Sequence, residues 1–332
     1  MKVAIIGCGV IGQKRARALD PEDQLVACCD ISLEKAEALG KAFSCPFYTE
    51  YTRVFNEVEC DAVIVAVINQ SIQEIVLSAL HAGKHVLSEK PLGRNASEAK
   101  TMVEVASQSH RILKTGFNHR FHPAVWKAKE IFDQGGIGEL LIIRARYGHG
   151  GRPGLEKEWR SSKLACGGGE LLDQGVHVID LIRWFGGEIT EVYGKVETKF
   201  WPIEVEDNAF AIVQTEKHVT AQFHVSWTNW KNIFSFELFG SLGYLKMEGL
   251  GGNYGPETLE YGKRNPKGGR PEMEYFEFPP EDTSWKSEWQ EFKSAIRDNR
   301  EPLGSGVDGW KANAVVEALY QSHQEKKGVR LK

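Results

Sequence analysis

The stretch that most restricts the fold is Ala62-Val63-Ile64-Val65-Ala66-Val67, six apolar residues in an unbroken run. A strand this apolar must be buried on both faces, which a parallel sheet with helices on either side provides. The surrounding sequence supplies the other layers. Strand signals at residues 2–7, 25–30, 62–67, 85–89 and 112–117 alternate with helix-period segments at 10–19, 33–43, 72–82 and 96–107. This alternation predicts an α/β domain with a doubly wound parallel sheet over residues 1–120, taking ligands beyond the carboxyl ends of its strands.

The first strand-to-helix turn is Gly7-Cys8-Gly9-Val10-Ile11-Gly12. The first glycine allows a tight turn, the second lets backbone approach a pyrophosphate, and the third lets the helix pack on the strand. The helix N-terminus then offers unpaired N–H groups to the anion. Asp30 follows about 20 residues on, at the end of the second strand, where a carboxylate accepts from a ribose 2′-hydroxyl. It repels a 2′-phosphate, and Ile31-Ser32 bring no arginine to receive one. NAD(H) is therefore expected over NADP(H), held by Gly7, Gly9, Val10, Ile11, Gly12 and Asp30.

After residue 120 the pattern changes to a helix at 123–134 and strands at 140–147, 190–200, 208–215, 219–228, 234–239, 244–248 and 274–278. Apolar and polar side chains alternate strictly over 221–227, as expected of a sheet covered on one face only. Residues 121–332 are thus expected to form an α+β domain with a large, mainly antiparallel, open-faced sheet. Trp285, Trp289, Phe292 and Ile296 recur at helical spacing, and 307–324 reads as a last amphipathic helix; both read as core packing.

A net charge of −4 without a long basic run gives no reason to expect nucleic acid or an anionic membrane surface as partner. No apolar run approaches a membrane span, and the opening residues lack the pattern of a signal peptide, so a cytoplasmic protein is expected. The six cysteines include no C-x-x-C pair and read as buried thiols.

Two further features carry chemistry. In His85-Val86-Leu87-Ser88-Glu89-Lys90-Pro91-Leu92 a buried strand ends at a proline, which leaves Lys90 either snorkelling to solvent or facing the ligand crevice. In a helix expected over 170–185, Asp173, His177 and Asp180 form a polar stripe at i, i+4 and i+7 on an otherwise apolar segment. Gly175 within that helix costs about 1 kcal/mol relative to alanine and points to close packing against its backbone. His119 and His122 lack the companions of a metal site, and no metal is expected.

The glycine turn, Glu89-Lys90-Pro91, and the segment from Gly167 through Asp173 and His177 to Asp180, in this order, resemble the glucose–fructose oxidoreductase / inositol dehydrogenase (Gfo/Idh/MocA) family over essentially the whole chain. The resemblance implies an NAD(P)-dependent dehydrogenase acting on a secondary hydroxyl or ketone of a sugar, a polyol such as inositol, or a nucleotide sugar. It implies a cis bond before Pro91, a crossing between domains at 116–121, and sheet-to-sheet association into a homodimer or homotetramer. Asn69, Glu89, Lys90 and Asn118 are then expected near the cofactor, with Lys90, Asn118, Trp159, Arg160, Asp173 and His177 around the substrate. At Val67-Ile68-Asn69 the chain departs from the Thr-Pro often found there in the family.

Hydride exchange requires one proton to move on or off the substrate hydroxyl. An imidazole, with an ordinary pKa near roughly 6.5, suits His177 to that task. Lys90 is expected to stabilise the alkoxide or relay the proton, and Asp173 to orient His177 or bind a second hydroxyl. Because Lys90 and His177 lie in different domains, the reading requires them to act on one substrate. The alternatives are a dehydrogenase of a non-sugar substrate and a non-catalytic, NAD-binding, sugar-sensing regulator.

Overall fold

In the computed structural model, which describes residues 1–331, the apolar run feeds two cores at once. Val63 and Val65 pack into one cluster with Ala4, Ile6 and Val86, while Ala62 and Ile64 pack into the other with Val3, Ile5 and Leu87. The elements here are β1 (Lys2–Ile6), α1 (Val10–Arg17), β2 (Gln24–Cys29), α2 (Leu33–Phe43), β3 (Phe47–Tyr48), α3 (Tyr51–Glu57), β4 (Ala62–Val65), α4 (Asn69–His81), β5 (His85–Ser88), α5 (Ala96–Gln108) and β6 (Leu113–Thr115). The strands form a six-stranded sheet in the order β3-β2-β1-β4-β5-β6, parallel throughout. This is the doubly wound arrangement expected. Sequence patterning passes over β3 and α3 because one is two residues long and the other buries only Val54.

The remaining elements are α6 (Pro123–Asp133), β7 (Leu140–Gly148), α7 (Lys163–Cys166), α8 (Glu170–Asp173), α9 (Gly175–Gly186), β8 (Ile189–Glu197), β9 (Asn208–Thr215), β10 (Thr220–Ser226), β11 (Ile233–Gly240), β12 (Gly243–Glu248), β13 (Thr258–Lys263), β14 (Glu272–Glu277), α10 (Ser284–Asp298), α11 (Gly306–Glu325) and β15 (Val329–Arg330). Nine strands make one sheet in the order β14-β13-β12-β11-β7-β10-β9-β8-β15. Only the β7–β10 pair is parallel. Along β10, Ala221, Phe223 and Val225 are buried while Thr220 and Gln222 are exposed, so one face is covered and the other is open, as the alternation requires.

The helix expected over 170–185 is two helices. The peptide N–H of His177 donates to Gln174 O (3.0 Å), three residues back, so the chain tightens there and restarts as α9. Gly175 sits at the restart, where a Cβ would lie 3.0 Å from Leu171 Cδ1 and 3.4 Å from Val225 Cγ2. Close packing is thus the reason for that glycine.

The chain also divides differently from a single cut at residue 120. One compact unit comprises Met1–Phe117, Leu164–Gly167 and Trp285–Asn313; the other comprises Asn118–Lys163, Gly168–Ser284 and the chain from Ala314 onward. The return of α10 to the first unit has a physical cause. Trp289 and Phe292 complete the core cluster that holds Val3, Ile5 and Ile64. Trp289 Nε1 donates to Asp23 (2.7 Å), and Lys293 pairs with Asp20 and Asp23. All six cysteines are buried and free. Among the described residues no helix is long and apolar enough to cross a membrane.

Candidate active site

In the first unit the three motif glycines have three separate local reasons. Gly7 adopts φ 100°, and a Cβ there would lie 2.2 Å from Ala66 O. At Gly12 a Cβ would lie 1.9 Å from Gly7 O, so α1 can approach the turn only without a side chain. Gly9 differs, because nothing lies within 4 Å of where its Cβ would be. Its backbone is extended, and it begins α1 without a side-chain cap. Open space beside uncapped helix N–H groups is what a pyrophosphate needs, so the turn fits a dinucleotide. Asp30 accepts from the N–H groups of Cys8 (2.8 Å) and Ser32 (2.9 Å), which fix its carboxylate beside that turn. Val10 and Ile31 flank it as exposed apolar side chains.

Lys90 is half-buried immediately beyond β5, and its bond to Pro91 is cis. Glu89, expected as a cofactor contact, commits its side chain to Arg15 (2.6 Å from Arg15 Nε). Asn69, also expected there, begins α4 and donates to Cys166 O (2.8 Å), tying the 164–167 segment to its own unit.

In the second unit His177 is 3% exposed on α9. Its ring stacks on that of His119, with centroids 3.7 Å apart and planes at 23°. His119 in turn meets the edges of Tyr147 (5.1 Å) and Phe234 (5.7 Å). The Tyr147 and Tyr254 rings pack against each other, centroids 5.5 Å apart, and Gln174 Nε2 donates to the Tyr254 hydroxyl (3.3 Å). Burial, reinforced by Tyr254 and Glu170, pushes the Tyr147 phenol well above its ordinary value. Burial pushes that of Tyr254 up to about 12. Both phenols therefore stay neutral near neutral pH and serve as hydrogen-bonding groups.

The rest of the expected set resolves residue by residue. Asp173 lies 3.5 Å from Arg160 Nε, and the Arg160 guanidinium stacks over Trp159 at 4.5 Å, so Trp159, Arg160 and Asp173 form one cluster. Asp180, which shared the polar stripe with His177, is held instead by the Arg120 guanidinium in a buried two-pronged pair (2.8 and 2.5 Å). Asn118 donates to Ser284 Oγ (2.9 Å), and its amide oxygen lies 3.2 Å from His119 Nδ1. His122 is engaged by Glu257 (3.0 Å). Sequence reasoning gave Tyr147, Tyr254 and Gln174 no role of their own and gave His119 no part beside His177. The available signals were a tyrosine ending a strand before a glycine-rich loop, and a histidine flanked by Asn118 and Arg120.

The glycine geometry separates binding from folding. Gly9→Ala should melt within about 1 kcal/mol of the parent, since its backbone suits any residue, yet weaken NADH binding at least about tenfold by filling the anion's space. Gly12→Ala should lower the melting temperature as well, because its Cβ meets backbone. Fluorescence titration with NADH beside thermal melting checks both; equal NADH affinity in Gly9→Ala would remove the pyrophosphate from this turn.

Residues 1–117 match the model of an oxidoreductase family with an NAD-binding Rossmann fold, and residues 125–246 match that of the GFO/IDH/MocA C-terminal domain. The chain is 27% identical to the myo-inositol 2-dehydrogenase of Thermotoga maritima, covering 100% of this chain and 98% of that protein. It is 26% identical to the D-apiose dehydrogenase of Paraburkholderia graminis, over 100% and 90% respectively. Among solved structures, a levoglucosan dehydrogenase in complex with NADH superposes with a TM-score of 0.91 at 21% identity, covering 100% of this chain and 99% of that one, which establishes likeness of fold. With the cofactor-binding and C-terminal domain models both matched, in order, along a chain whose glycine turn has the shape of a dinucleotide cradle, this protein is an oxidoreductase of the Gfo/Idh/MocA family.

Proposed function

We propose that the protein exchanges a hydride between NAD(H) and a secondary hydroxyl or ketone of a sugar, a polyol of the inositol class, or a nucleotide sugar. The observation that carries this reading is the buried His177 imidazole, stacked on His119 in a unit whose chain companion is a dinucleotide-binding fold. A buried imidazole in a site of phenols and carboxylates is suited to take a proton from a hydroxyl. The nicotinamide, when bound, gives or takes the hydride. His177 removes the hydroxyl proton during oxidation and returns it during reduction. Lys90 stabilises the alkoxide by its charge, and Asp173 with Arg160 binds a neighbouring hydroxyl. The relatives support a substrate with vicinal hydroxyls, being named as dehydrogenases of myo-inositol and D-apiose.

Preference for NAD(H) rests on Asp30. Two peptide N–H groups hold its carboxylate at the end of β2, where its charge opposes a 2′-phosphate, and the following Ile31 is 94% exposed and brings no cation. The open face of the nine-stranded sheet supports self-association. Ile142 on β7, Phe210 and Ile212 on β9 and Tyr193 on β8 are each about half exposed there, with β10 between β7 and β9, and offer apolar area to a second copy of the same face.

A panel of cyclitols, aldoses and nucleotide sugars, each assayed with NAD⁺ and with NADP⁺ by reduced-cofactor absorbance, tests the activity. At least one polyol or sugar should be turned over with NAD⁺ preferred, and Asp30→Ala should narrow that preference. A silent panel, or a preference for NADP⁺, contradicts the reading. Sedimentation at micromolar concentration should give a dimer or tetramer, and Ile212→Asp should shift it toward monomer; a monomeric parent refutes the sheet-face interface.

A further inference from the structure

Two charged residues that no motif singled out meet at the Glu89-Lys90-Pro91 turn: Arg15 on α1 and Glu288 on α10. The Arg15 side chain is 1% exposed. Its Nε and Nη2 both reach Glu89 Oε1, at 2.6 and 2.5 Å, and its Nη1 reaches Glu288 Oε2 at 2.5 Å. The Trp285 ring lies 4.5 Å from the guanidinium carbon. Glu288 is fully buried, with Oε1 3.5 Å from Lys114 Nζ, and Lys114 also donates to Leu303 O. Gly116 leaves room for the pair, since a Cβ there would lie 2.7 Å from Arg15 Nη2 and 3.0 Å from Glu89 Oε2.

Two buried cations and two buried carboxylates are thus assembled from α1, the end of β5, β6 and α10. Stability alone is a poor reason for such a group, because the desolvation of buried ions offsets most of their attraction and apolar side chains of similar volume do as well or better. What apolar side chains cannot do is fix direction. A guanidinium presents its donors in a rigid planar fork, so gripping Glu288 with one prong orients the edge that holds Glu89. Glu89 is then fixed twice, by its N–H to Val65 O (2.8 Å) and by its carboxylate to Arg15, and Lys90 is the next residue along.

We infer that Arg15 and Glu288 are positioning residues that set the Glu89-Lys90 main chain, and through it the ammonium group of Lys90, for the reaction. The inference rests on the role given to Lys90 above. Small displacements of a positioned group cost about ten- to a hundredfold in rate without touching binding. The decisive signature is therefore a fall in kcat at constant KM.

The test measures kcat and KM of the full-length protein with NAD⁺ and myo-inositol, or the panel member with the highest kcat/KM, together with NADH binding stoichiometry and affinity. The variants are Lys90→Met, Glu288→Gln and Arg15→Lys. Lys90→Met should lose about a hundredfold or more in kcat. Glu288→Gln, which keeps shape but loses charge, and Arg15→Lys, which keeps charge but loses the fork, should each lose about tenfold in kcat, with KM and NADH affinity within about twofold and full NADH stoichiometry. If Glu288→Gln does not fold, Arg15→Lys decides. An active Lys90→Met overturns the role of Lys90 and this inference with it. An inactive Lys90→Met beside fully active Glu288→Gln and Arg15→Lys overturns the positioning inference alone, as does a fall in kcat that tracks the loss of NADH-binding protein.

Discussion

Backbone contact at the first turn sets the terms for the rest of the first unit. A peptide oxygen at Gly7 stands where the Cβ of residue 12 would be, and the oxygen of Ala66 stands where that of residue 7 would be. Only glycine at both positions lets α1 begin directly over the ends of β1 and β4. From that approach follow the uncapped N–H groups facing the space beside Gly9, and the reach of Asp30 to the amide of Cys8. It also places Arg15 on α1 within one side-chain length of Glu89 at the end of β5. Cofactor turn and lysine turn are thereby coupled through a helix that packs against both.

The second unit solves a different problem, that of burying polar groups on a helix made mostly for core packing. Several polar residues of α8 and α9 have a local partner of their own. Asp180 has the fork of Arg120, and Asp173 has the partly exposed Arg160. His177 has a second imidazole in face-to-face contact. The two tyrosines beside the stacked rings stay neutral, since burial raises both phenols. The stacking fixes the plane of the His177 imidazole against that of His119.

Much of this was legible in the sequence, and the limits have physical causes. The two-faced burial of β4 and the alternation in β10 could be read because strand burial depends on local period alone. The glycine fingerprint could be read because its three positions answer to three separate steric needs. Partnerships between distant residues could not. Nothing near Asp180 in sequence announces Arg120, and nothing near Arg15 announces Glu288, 273 residues away. The aromatic repeat of α10 was correctly a core signal, but period does not say which core it enters; Trp289 and Phe292 enter that of the first unit. The break at Gln174 was hidden because Gly175 leaves the apolar spacing on either side in phase.

The proposed function requires Lys90 and His177, one in each compact unit, to serve one proton transfer. Groups that act as a unit in one step show strongly non-additive losses, whereas independent groups multiply theirs. A double-mutant cycle on kcat with Lys90→Met and His177→Asn tests this directly, with NADH affinity checked in each variant. The account predicts that the double variant falls within about threefold of the worse single variant. Losses that multiply, or a single variant that keeps the parent rate, would contradict it.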